Sequence, residues 1–329
     1  MRKRTILGMP HGVLLGSLLA LFALVAAPPA AGQQRAQPAA VAVPGTGGEQ
    51  VCLKCHGGDP KVQAVLHSPM GVKGDPRTPL GQLGCQSCHG LSDDHANGRK
   101  PFPDIVFEGP NASPVAARNQ VCLGCHLNGE RISWAGSTHQ RNDIACTNCH
   151  TAHVVRDPVL QKQTQPFRCF TCHLQQQAQT NYFSHHPIRE GLVTCSDCHN
   201  PHGGHGSELL REVTINQTCY NCHGEKRGPF LREHPPVREN CANCHLPHGS
   251  TQPRLLIERP PYLCQNCHDG TFHPGTPYSS QNLVGKSTKL PGAATATITT
   301  KYQMIGQSCL NCHSAIHGSN SPGGAVFLR

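Results

Sequence analysis

Residues 195–223 read CSDCHNPHGGHGSELLREVTINQTCYNCH. A Cys-x-x-Cys-His unit opens the stretch and another closes it, and that pattern decides the kind of fold available to the chain. Two thiols three positions apart lie on one helical turn, where each can form a thioether to a haem vinyl group. The adjacent His is then held under the iron as its proximal ligand.

Working outward, all 20 cysteines fall into ten such units. The first five assign covalent haem attachment to Cys52 and Cys55, Cys85 and Cys88, Cys122 and Cys125, Cys146 and Cys149, and Cys169 and Cys172. The second five assign it to Cys195 and Cys198, Cys219 and Cys222, Cys241 and Cys244, Cys264 and Cys267, and Cys309 and Cys312. The proximal ligands are then His56, His89, His126, His150, His173, His199, His223, His245, His268 and His313. A zinc ribbon would use the Cys-x-x-Cys pairs but gives no reason for a His after each second cysteine. Disulfides, the usual use of cysteine in an exported chain, leave those histidines equally unexplained. Ten c-type haems are the expected cofactors.

The other histidines are periodic. From Cys122, Cys169 and Cys219 the chain repeats one order: motif, His, motif, His. The intervening residues are His139 and His153, then His186 and His202, then His234 and His248. The outer units keep the order with altered spacing, using His67 with His95 and His273 with His317. Starts at Cys122, Cys169, Cys219 and Cys264 give pitches of 47, 50 and 45 residues, the mark of an internal array. Five tandem two-haem modules follow, at about 52–121, 122–168, 169–218, 219–263 and 264–329. Each iron has a candidate second axial His, with His185 and His205 left over. In His199-Asn-Pro-His202 and His245-Leu-Pro-His248 the second His is too close in sequence to wrap round its own haem, so it should ligate a neighbour. Methionine is scarce: Met70 and Met304 are the two beyond residue 32. Bis-His haems lie below His/Met haems in potential, so a low-potential electron carrier is expected. With a sixth ligand for every iron, no position is reserved for a substrate.

Composition agrees. The 329 residues include 34 glycines, 28 prolines and one Trp, with aromatics at 5%. Such a chain cannot build a core from its own side chains; haems must fill the interior. The expected fold is a multihaem cytochrome c, mostly loops with short α-helices around an extended chain of ten haems and almost no β. Helices are expected at Phe170 to Thr180 and Ser207 to Val213. Arg2, Lys3 and Arg4, the apolar run Val13 to Ala27 and the small residues Ala30-Ala31-Gly32 read as a secretory signal peptide over 1–32. A Gln/Ala/Pro/Gly-rich leader spans 33–48, and 49–329 is the cytochrome domain. Export places attachment in the periplasm. The formal charge of +9, less three for the basic n-region, is +6. Ten haems with ionised propionates add about −10, leaving about −4 when oxidised. The basic residues are thus propionate partners, and no nucleic acid is expected.

The stretches Cys195-Ser-Asp-Cys-His-Asn-Pro-His-Gly, Cys219-Tyr-Asn-Cys-His-Gly-Glu-Lys-Arg-Gly-Pro and Ser308-Cys-Leu-Asn-Cys-His-Ser-Ala-Ile-His-Gly-Ser-Asn resemble the MtrA/DmsE-type periplasmic decahaem cytochromes. The resemblance covers the whole mature chain. It implies a cytochrome threaded into an outer-membrane β-barrel porin, often joined by an outer-surface multihaem cytochrome and fed by a periplasmic or inner-membrane carrier. It implies the distal set His67, His95, His139, His153, His186, His202, His234, His248, His273 and His317. His186 is preferred to His185 because the family has a single His before Pro, as at His186-Pro187. The implied role is electron relay across the outer membrane, to or from metal oxides, Fe(II) or sulfoxide. At about 10 Å per step, nine steps in line span roughly 90 Å, against ~40–45 Å for a bilayer with headgroups. A soluble periplasmic shuttle and a multihaem reductase are the alternatives.

Overall fold

Single turns of helix cannot hold themselves in water, because nucleation costs more than one hydrogen bond returns. The chain nevertheless consists of little else. The computed structural model describes residues 48–268, 287–289, 297–299, 308–311, 313–322 and 327. The signal-peptide segment, most of the leader, His273 and Cys312 lie outside the described residues. All that is described belongs to one unit, Ala42–Arg329. The longest described helices have nine residues, and none is long and apolar enough to cross a membrane. The one ladder among the described residues pairs Ser287–Lys289 antiparallel with Thr297–Thr299.

Helices enter the two motifs of a module differently. The first motif is reached by a helix that runs into its first cysteine: α1 (Val115–Leu123), α2 (Gln165–Phe170) and α3 (Ile215–Tyr220). Thr214 starts α3 with a capping box: its hydroxyl accepts from Gln217 N at 3.1 Å, and Gln217 Oε1 accepts from Thr214 N at 3.2 Å. The second motif is a bare turn, Cys146–Cys149, Cys195–Cys198 or the 3-10 turn Cys241–Asn243. A buried Asn locks the two together. In the second module Asn119 Oδ1 accepts from Cys146 N at 2.8 Å, while its amide donates to Ile144 O. In the fourth, Asn216 Oδ1 accepts from Cys241 N at 2.7 Å, and its amide donates to the Val237 and Arg238 carbonyls. Each clamp satisfies backbone groups that would cost about 1–3 kcal/mol apiece if left buried and unpaired.

Little else is buried. The buried apolar residues are Leu80, Trp134, Ala145, Phe170, Ile188, Leu210 and Leu256, fewer than the buried polar ones. Ile132, Leu160, Phe167 and Leu231 are mostly solvent-facing in the polypeptide.

Both expected helices need correction. Phe170 to Thr180 is two helices, α2 ending at Phe170 and a second at Leu174–Gln179 that starts from His173. The motif histidine sits in the break, at φ −90° and ψ 62°. Ser207 to Val213 is a 3-10 turn, Ser207–Leu209, followed by a strap. Glu208 and Leu209 both have φ near +55° (54° and 56°), and Arg254 and Leu255 repeat this at 60° and 57°. Left-handed non-glycine backbone costs about 1–2 kcal/mol per residue, and the return lies in where the strap's carbonyls point. Asn200 N donates to Leu209 O at 2.8 Å and Arg211 N to Cys198 O at 2.9 Å, folding the strap onto the motif. Leu246 N to Leu255 O (2.7 Å) and Ile257 N to Cys244 O (2.9 Å) repeat the arrangement one module later.

Candidate haem-binding sites

Two imidazoles on opposite sides of one metal, each nitrogen about 2.0 Å away and each ring centre about 1.1 Å further, have centroids about 6.2 Å apart. The structure sets motif histidines opposite non-motif histidines at that spacing eight times. The pairs are His56–His95 (6.0 Å), His89–His153 (6.1 Å), His150–His202 (6.0 Å) and His173–His139 (6.2 Å). They continue with His199–His248 (6.0 Å), His223–His186 (6.2 Å), His245–His317 (6.1 Å) and His268–His234 (6.1 Å). Direct imidazole contact does not produce such a constant gap; an intervening ligated metal does.

The pairing has an order that sequence spacing did not reveal. The His between two motifs faces the first motif of the next module: His139 faces His173, His186 faces His223, and His234 faces His268. The His after a second motif faces the second motif of the preceding module: His153 faces His89, His202 faces His150, His248 faces His199, and His317 faces His245. At the first motif the partner is His95, from the same module. His67 is exposed and is not brought to His126 at this spacing. His273 lies outside the described residues.

Several of the other ring nitrogens find acceptors, as those of ligating histidines do. On second motifs the motif His donates. His89 Nδ1 donates to Ile105 O (3.0 Å), His199 Nδ1 to Glu208 O (2.8 Å) and His245 Nδ1 to Arg254 O (2.9 Å). The last two acceptors are the strained strap residues. His150 differs: its Nδ1 donates at 2.6 Å to the carboxylate of Asp157. Between modules the facing His donates instead, His139 to Pro201 O (2.7 Å) and His186 to Pro247 O (2.6 Å). Those carbonyls belong to the His-x-Pro-His stretches, so one module's histidine is aimed by the next module's ligand loop. The loops come this close because Gly203 and Gly249 follow the histidines. A Cβ on Gly203 would lie 2.2 Å from Ser133 O, and one on Gly249 2.0 Å from Gln179 O.

Burial also favours the neutral, metal-binding form of these rings. It pushes His202 down to about 4 and lowers His153, His245, His248 and His317. Of the surplus histidines, His185 uses both ring nitrogens, on Tyr182 O and on Glu190. His205 is exposed.

The thiols order the motifs. Within each module the first cysteines of the two motifs are within hydrogen-bonding reach: Cys52 with Cys85, Cys122 with Cys146, Cys169 with Cys195, Cys219 with Cys241, and Cys264 with Cys309. Between modules the neighbours are second-motif and next-module cysteines. Burial and Cys125 push Cys88 up, and burial, Cys169 and Cys172 act on Cys149. Burial, Asp197 and Cys222 act on Cys198, and burial and Cys267 on Cys244. Each motif therefore adjoins the one before it and the one after it in sequence. At eight of the motifs the residues fit a covalent haem: paired thiols, a motif His and an opposed His, with acceptors for several of the remaining ring nitrogens.

Comparison with known proteins agrees. The family described as "Doubled CXXCH motif" matches residues 185–228 and 234–273, and "Cytochrome c-type protein NrfB-like" matches 85–166. The chain is 42% identical over 282 residues to the multiheme cytochrome MtrA of Shewanella baltica (strain OS185), covering 86% of this chain and 81% of that one. It is 27% identical over 139 residues to the cytochrome c-type protein NrfB of Escherichia coli O6:H1, covering 41% of this chain and 70% of that one.

Proposed function

Because the chain belongs to the family of the multihaem cytochrome MtrA, and is thus a c-type electron-transfer protein, we propose that it relays electrons along ten haems across the bacterial outer membrane. One observation carries the reading: from Cys52 to Cys309 each motif adjoins its sequence neighbours, so haems held there would follow the order of the chain. A haem supplies iron that cycles between ferric and ferrous; the polypeptide supplies everything else. The thiols of each motif would hold the haem covalently and the motif His with its opposed His would ligate the iron, while the carbonyls of Ile105, Glu208, Arg254, Pro201 and Pro247 orient the rings. The pairing rule assigns His67 to the iron of His126, and His273 is left for that of His313 within its own module, as His95 stands opposite His56 at the other end. With both axial positions filled at every iron, the chain carries electrons and performs no substrate chemistry of its own.

The conduit sits on the periplasmic side of the outer membrane, inside a β-barrel porin that insulates it. A periplasmic or inner-membrane carrier meets one end, and an outer-surface multihaem cytochrome or an extracellular donor or acceptor (metal oxide, Fe(II) or sulfoxide) meets the other. The porin is what the likeness to the MtrA-type cytochromes implies, and none of the described helices is long and apolar enough to cross a membrane. Detergent extracts of outer membrane should yield the cytochrome with a large β-barrel protein at 1:1. Recovery of all the cytochrome in the osmotic-shock fraction, with no barrel attached, would make it a soluble shuttle instead.

A further inference from the structure

At three second motifs the proximal ring nitrogen donates to a neutral backbone carbonyl. At the fourth it donates to a carboxylate, His150 Nδ1 to Asp157 Oδ2 at 2.6 Å. We propose that Asp157 makes the haem at Cys146–Cys149 the lowest-potential haem of the chain, an inference that rests on the bis-His reading above.

Hydrogen bonding to a carboxylate pushes electron density onto the imidazole and makes it a stronger donor to iron, which favours the ferric state. The negative charge beside the ligand adds to this, since it also opposes addition of an electron. Position decides how much of that charge is felt. The Asp157 side chain is 13% exposed, against 38% for His150, so water screens it weakly. It is also held rigidly: Oδ1 accepts from the amides of Thr151 and Val159, both at 3.3 Å. The Val159 amide belongs to the turn Pro158–Leu160, for which Asp157 is the N-cap, and the Thr151 amide directly follows the motif His. Among the described ion pairs none joins a Lys or Arg to Asp157; Arg168 bonds Thr151 Oγ1 at 3.2 Å instead, near enough for its charge to act on Cys149.

Among the described ion pairs, one other joins a carboxylate to a motif histidine. Glu225 Oε1 lies 3.8 Å from His223 Nδ1, beyond hydrogen-bonding distance, with side chains 61% and 55% exposed. Solvent screens that interaction, and it lacks the directed bond. On the distal side of the Asp157-linked haem, His202 Nδ1 is 3.2 Å from Asn200 Oδ1, a neutral amide oxygen that does not reverse the effect. Of His89, His150, His199 and His245, His150 is the one with a directed carboxylate bond, which places the charge at the fourth haem in sequence. Electrons moving in either direction must climb to it.

The test is a redox titration of the fully loaded cytochrome, followed optically over all ten one-electron steps. In Asp157→Asn the amide oxygen still accepts from Nδ1 while the charge is gone. The last haem to be reduced in the native protein should then become easier to reduce by at least tenfold, 59 mV for one electron, with the other nine unmoved. Asp157→Glu should keep the native curve. A second variant tests the assignment even where Asp157→Asn loads poorly: His202→Met acts on the same iron and should remove the lowest-potential step. If both variants carry ten haems by mass and leave that step in place, the proposal is overturned. If instead the native spectrum shows a high-spin iron at this site, the bis-His reading fails, and the two failures are told apart.

Discussion

Replacing His202 with Met should alter the haem attached at Cys146–Cys149 and leave the haem at Cys195–Cys198, only a few residues away in sequence, with its native spectrum. The reason is geometric. His202 stands 6.0 Å from His150, centroid to centroid and nearly parallel at 12°, whereas His199 faces His248. A thioether in place of the imidazole turns one bis-His iron into a His/Met iron and raises its potential. Difference spectra during reduction should therefore show one haem moving from the bottom of the titration toward the top. A matching His248→Met should act on the haem of Cys195–Cys198. An alteration confined to each variant's own motif would refute the cross-module pairing. The same substitutions should loosen the junctions between modules, because each facing His ties one module to its neighbour.

A second large effect is expected from removing one haem in the middle. With Cys195→Ala and Cys198→Ala the chain should carry nine haems. In vesicles holding the porin and the cytochrome, electron delivery to an enclosed dye should fall to the leak of vesicles lacking the cytochrome. Cys195 is within reach of Cys169 and Cys198 is near Cys222, so this haem joins its two neighbours. Its loss leaves a gap of two steps, roughly 20 Å on a ~10 Å spacing. Undiminished conduction through the nine-haem protein would mean that electrons do not follow the chain order.

Much of this was legible in the residues. A covalent motif states its own chemistry, and the alternation of motif and His announces an array because no core composition could account for it. Spacing also showed that His202 and His248 could not serve their own haems. It could not show which haems they serve, since that depends on how loops from separate modules meet, as where His139 reaches Pro201. The helix expected at Ser207 to Val213 failed for a related reason. Its Leu-rich pattern reads as helical, yet the carbonyls of Glu208 and Arg254 are needed by His199 and His245, and tertiary demand overrides local preference. Backbone carbonyls carry no signature in sequence, so these acceptors were invisible. Asp157 left a faint one. It follows its motif His by seven residues, where Glu208 and Arg254 follow theirs by nine, and it is an acid directly before Pro158.

The central claim is a closed series of ten haems, each iron held between two histidines. It is tested most directly by electron paramagnetic resonance of the oxidised, mass-verified holoprotein. The account predicts a mass equal to the processed chain plus ten haems, and low-spin ferric signals only, integrating to ten. A high-spin signal from intact protein, or fewer than ten haems on a chain with every motif cysteine present, would contradict it.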